Sequence, residues 1–79
     1  MPLMRSRPLL DRPRLVRATR EPAGQITLCD AGTGARLALH VHYSEPAWVQ
    51  LLLQAEGRLE EELTEVIFLF TPTQDRARF

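Results

Sequence analysis

Hydrophobic and polar positions alternate most cleanly in two neighbouring stretches of the chain. In residues 25–29, Ile26 and Leu28 fall on one side of an extended strand. In residues 36–43, Leu37, Leu39, Val41 and Tyr43 do the same. Between them lies Asp30-Ala31-Gly32-Thr33-Gly34, a turn whose two glycines accept left-handed backbone angles. The two stretches fit together as a hairpin with Leu28 facing Leu37 and Ile26 facing Leu39. A slip of one residue would turn one apolar set outward, so the pattern itself fixes the register.

After this hairpin the period changes. Ser44, Glu45 and Pro46 form a helix start, with serine as N-cap and glutamate and proline in the first turn. Trp48, Leu52, Ala55, Leu59 and Leu63 then recur at helical spacing, with Leu51 beside them, and predict one apolar stripe ending near Leu63 or Thr64. Gly57 sits inside that helix at a cost of about 1 kcal/mol relative to alanine. Residues 65–70, Glu-Val-Ile-Phe-Leu-Phe, are β-branched and aromatic and do not alternate. A strand apolar on both faces is expected to be covered on both faces.

The first third is less regular. Pro2, Pro8 and Pro13 interrupt an arginine-bearing start, and Glu21-Pro22-Ala23-Gly24 marks a turn. Residues 14–20 read as a strand between them. The expected class is α+β: a small mixed sheet of order β-β-β-α-β with one amphipathic helix packed on one face. Residues 1–13 are expected to form an arginine- and proline-rich arm, 14–71 a single domain and 72–79 a polar tail. A right-handed crossover follows if the strands flanking the helix lie parallel.

Size sharpens this picture. At 79 residues a domain buries only about 60% of the surface its unfolded chain exposes. Cys29 is the only cysteine, so no disulfide within the chain can help. A single helix shelters one face of a sheet, and the economical cover for the second face of residues 66–70 is another copy of the chain. No stretch approaches the roughly 20 apolar residues that span a bilayer, and no apolar run of signal-peptide length stands near the start. A cytoplasmic protein without membrane association is the expectation.

The formal charge is zero, with ten basic and ten acidic side chains, and every basic one is arginine. The even total conceals a polarity. Arg5, Arg7, Arg12, Arg14, Arg17 and Arg20 face only Asp11 within residues 5–20, whereas Glu45, Glu56, Glu60, Glu61, Glu62 and Glu65 face only Arg58 within 45–65. Glutamates at a helix C-terminus oppose its dipole, so Glu60, Glu61, Glu62 and Glu65 are candidates for an acidic docking surface. Equally, they are a solvated face neutralised by the chain's own arginines.

Other chemical signals are thin. His40 and His42 would project from one face of a strand about 6.6 Å apart, but a zinc site wants three or four ligands. Cys29 and His40 would be separated by about 13 Å in the hairpin register, too far for a nucleophile and its base. The Gly32-Thr33-Gly34 turn lacks the lysine and the following helix of a phosphate loop. No catalytic residues and no cofactor are expected.

The expectation is therefore a non-enzymatic protein-interaction module, self-associating as a dimer, in a regulatory or accessory role. Its candidate interaction residues are Glu60, Glu61, Glu62, Glu65, Arg14, Arg17, Arg20, Val66, Phe68 and Phe70. The alternative is a nucleic-acid-binding accessory protein using the arginine-rich segment, and a third is a metal site at His40 and His42.

Overall fold

A computed structural model describes residues 12–73. Five elements follow one another: β1 (Arg14–Arg20), β2 (Ile26–Asp30), α1 (Leu39–His42), α2 (Glu45–Glu62) and β3 (Glu65–Phe70). The strands form one sheet in the order β2-β1-β3. β1 is central and pairs antiparallel with both neighbours, Arg17 opposite Cys29 on one side and opposite Ile67 on the other. The sheet is thus wholly antiparallel rather than mixed. The chain reaches β3 through α2 and returns beside β1, so no parallel crossover forms.

Alternation along each strand sorts side chains between two faces. Val16, Ala18, Leu28, Phe68 and Phe70 point to one side, where they meet Ala47, Leu51, Ala55 and Leu59 of α2. Those four helical positions recur every fourth residue and form the buried stripe. The predicted stripe holds at Ala55 and Leu59, with Leu51 beside them. In the first half it shifts by one position, since Ala47 and Leu51 are buried while Trp48 and Leu52 flank the core half-buried, and Leu63 is exposed. Ser44 does occupy the N-cap, but its side chain makes no capping bond; its carbonyl accepts from Trp48 N–H at 2.9 Å.

The hairpin of residues 25–29 with 36–43 survives only at its first rungs. Cys29 lies opposite Arg36 in a single bridge, and Leu37 N–H donates to the Leu28 carbonyl at 2.8 Å, the predicted register. Beyond Leu37 the chain leaves the sheet and coils into α1, so Ile26 does not face Leu39. Tyr43 explains the departure. Its ring turns into the core against Phe70, edge to face at 5.6 Å, and lies 6.2 Å from Trp48. One short turn thereby places an aromatic under α2, where an extended strand would carry it past the sheet edge.

α2 ends on a tight reversal. Leu63 takes φ 78° and ψ −48°, and Thr64 N–H bonds back to the Glu62 carbonyl at 3.0 Å. With that i→i+2 bond Leu63 sits in a γ-turn of positive φ, a rare and strained backbone conformation. That reversal lets β3 start three residues after the helix. Past β3, Pro72 is buried and Thr73 N–H donates to Gln50 Oε1 at 2.9 Å. The fold thus holds the chain through residue 73. The proposed arm, residues 1–13, and tail, 72–79, lie largely outside the described residues.

Candidate interaction surface

The side of the sheet away from α2 carries Leu15, Arg17 and Thr19 of β1, Thr27 and Cys29 of β2, and Glu65, Ile67 and Leu69 of β3. Nothing among the described residues packs over it. Leu15 remains 50% exposed, Ile67 55% and Leu69 58%, although they stand side by side across the β1–β3 ladder, Leu15 opposite Leu69. Polar groups frame this apolar patch: Arg17 Nε lies 3.5 Å from Glu65 Oε2, with both side chains well exposed. Such a surface pair contributes about 0–1 kcal/mol.

The outer edge of β3 borders the same patch. Arg20 N–H donates to the Thr64 carbonyl at 2.8 Å, which sets the alternation of the β1–β3 ladder. Residues 66, 68 and 70 turn their backbone groups toward β1. Those of Glu65, Ile67 and Leu69 point outward and meet no partner among the described residues. The opposite edge of the sheet is treated differently, since residues 35–37 bond to Leu28 and Asp30 of β2.

The candidate residues scatter over this framework. Glu60, Glu61 and Glu62 are exposed on the last turn of α2, and Glu65 opens β3 beside them; Glu62 and Glu65 line a shallow depression with Val66 and Ile67. Phe68 and Phe70 are buried beneath α2 and Val66 is half-buried there, so these three are core and not surface. Sequence reasoning missed Ile67 and Leu69, which take the open side. Strand parity carried that information: once Phe68 and Phe70 are inside, their neighbours are outside.

The arginines do not converge. Arg17 lies on the open face, while Arg14 and Arg20 belong to the other parity. Arg14 is engaged internally: its Nη1 donates to Asp30 Oδ2 at 2.6 Å and its guanidinium lies 5.9 Å from the centre of the Tyr43 ring. Asp30 also accepts from Gly32 and Thr33 N–H, at 2.8 and 2.9 Å. The Thr33 bond contributes most to holding its carboxyl below the ordinary carboxylate value, partial desolvation opposes it, and the Gly32 and Arg14 bonds reinforce it. This is a turn clamp, built to pin the 30–34 reversal to β1.

Two other sequence signals also resolve into structure. His40 and His42 sit in the helical turn α1, not on a strand, so they no longer share a face. His42 Nδ1 accepts a hydrogen bond from Ala38 N–H at 3.0 Å. Among the described residues no three His, Cys, Asp or Glu side chains gather as a metal site requires. No described helix is long and apolar enough to cross a membrane. The chain matches no protein-family model, no curated protein and no solved structure.

Proposed function

We propose that the chain is a non-enzymatic protein-interaction module that works as a homodimer. The observation behind this reading is the uncovered apolar patch of Leu15, Ile67 and Leu69 bordered by the unpaired edge of β3. An apolar, uncharged edge strand is a liability in a lone domain, and proteins ordinarily blunt such edges with charge, proline or a covering segment. Here the covering segment, residues 35–37, protects β2, and β3 has none among the described residues. Between Glu65 and Pro72 there is no charge and no proline to deter pairing.

The reading also fits the chain's size. A helix and three strands form a small core, and a second copy would enlarge it without lengthening the chain. Sedimentation equilibrium of the full chain across the micromolar range tests the proposal. A mass of two chains is the expected result, and a folded single chain throughout would overturn it.

A further inference from the structure

We infer that two copies pair through their β3 edges, antiparallel about a two-fold axis, joining two three-stranded sheets into one of six strands. This rests on the self-association proposed above and specifies its geometry.

Backbone chemistry supplies the first argument. Glu65, Ile67 and Leu69 direct their N–H and C=O groups off the edge of the sheet. Antiparallel pairing matches such residues with their counterparts on a second β3, each matched pair exchanging two hydrogen bonds. A two-fold axis normal to the sheet also keeps both open faces on one side and both α2 helices on the other.

Side chains select the register. Phe68 opposite the partner's Phe68 sets Ile67 opposite the partner's Leu69, and Leu69 opposite the partner's Ile67. Four aliphatic side chains then form one patch, flanked by Leu15 from each copy, and Glu65 meets the partner's Thr71. Shifting so that Ile67 faces the partner's Ile67 would instead lay the Glu65 carboxylate against the partner's Leu69. Burying that charge against an aliphatic group is costly.

Charge distribution argues for the antiparallel sense. The Glu65 end of β3 adjoins Glu60, Glu61 and Glu62 at the end of α2, with Arg17, Arg20 and Arg58 as basic groups of that end. At the Phe70 end, Arg12 and Arg14 stand with Asp30, which pairs with Arg14, and with Glu45, two residues past the Tyr43 that packs on Phe70. The carboxylate excess thus lies at one end of β3. Antiparallel pairing keeps the two acidic ends apart, whereas parallel pairing would set them side by side.

The flank of α2 above β3 bears Gln50, which holds Thr73, and Arg58, whose guanidinium lies 5.9 Å from the centre of the Phe68 ring, so these are the side chains that a neighbouring helix would meet.

Directed disulfide trapping in the full chain tests the pairing. In a Cys29→Ser background, Ile67→Cys and Leu69→Cys are made separately, tagged differently and mixed under mild oxidation, with sedimentation run on the reduced parent. The expected result is a dimeric parent and a mixed disulfide between the two variants exceeding either self-disulfide by about tenfold, because opposed Cα atoms lie about 5.5 Å apart and offset ones do not. A dimer that yields no preference for the mixed disulfide overturns the edge pairing while leaving self-association in place. A monomer overturns both. If the full chain is monomeric and removal of residues 1–11 makes it dimerise, the chain's own first segment occupies the edge, and the pairing is likewise overturned.

Discussion

Leu69 stands directly opposite Leu15 across the β1–β3 ladder, and both are at least half exposed on the face that α2 does not reach. A helix covers one side of a three-stranded sheet, so the residues of opposite parity to Phe68 and Phe70 are left for water or for a partner. Everything proposed about function concerns that second side.

The first prediction follows from this relationship. Leu69→Lys places a charge on the exposed edge strand without entering the core. The fold should tolerate it within about 0.5 kcal/mol, the usual range for surface substitutions. Association should weaken by about tenfold or more, which corresponds to 1.4 kcal/mol. Thermal unfolding and sedimentation of the same sample separate the two effects. A dimer as tight as the parent's would contradict the assignment.

A second prediction concerns the helix and is best measured in the Leu69→Lys background, where folding is read apart from association. Gly57 lies inside α2 with open space where a Cβ would stand, so Gly57→Ala should stabilise by about 0.5–1 kcal/mol. Leu51 is fully buried under the sheet, and Leu51→Ala should cost about 2–5 kcal/mol. In a chain this small that loss is expected to abolish cooperative unfolding near room temperature.

These contrasts show how much of the fold was legible in the chain. Alternation revealed Ile26 and Leu28 as a strand face, and it gave the register of Cys29 against Arg36, because both depend on local parity alone. It failed at 38–43, where the same alternating pattern serves a helical turn that drives Tyr43 inward against Phe70 and Trp48. That choice is made by tertiary packing, which no local period records. The run 65–70 was read as apolar on both sides, correctly as composition. Composition alone cannot say which parity α2 covers; the structure buries Phe68 and Phe70 and leaves Ile67 and Leu69 on the open face.

Tyr43 yields a prediction about alkaline conditions. Its hydroxyl is buried and has no hydrogen-bond partner among the described residues. Desolvation raises its pKa above the usual tyrosine value, and the neighbouring Arg14 guanidinium works the other way. A raised pKa in the fold means that stability is complete below about pH 10, the unfolded value, and is lost as pH climbs through the folded one. Tyr43→Phe should remove this alkaline loss, and at pH 7 it should leave stability unchanged or slightly higher, since no hydrogen bond is given up. Melting temperature against pH for the two proteins provides the check. A large loss for Tyr43→Phe at neutral pH would reveal a bond that the structure does not contain.

Asp30 has the opposite sign. Its carboxyl is held below the ordinary value by Thr33 first, with Gly32 and Arg14 adding to the effect. Its contribution is therefore complete above about pH 4, the unfolded value, and disappears as pH falls through the lower folded value. Asp30→Asn should lower stability at neutral pH and flatten the acid limb of the melting curve. If the parent and Asp30→Asn show the same acid limb, the clamp between β1 and the 30–34 turn is not a source of stability.

Amide hydrogen exchange at Ile67 and Leu69 addresses the central claim most directly, because their N–H groups point off the edge of β3 and have no partner among the described residues. The account predicts fast exchange in dilute solution and clear protection as concentration rises, with Phe68 N–H protected at both extremes by its ladder to β1. Fast exchange at Ile67 and Leu69 at every concentration would contradict it.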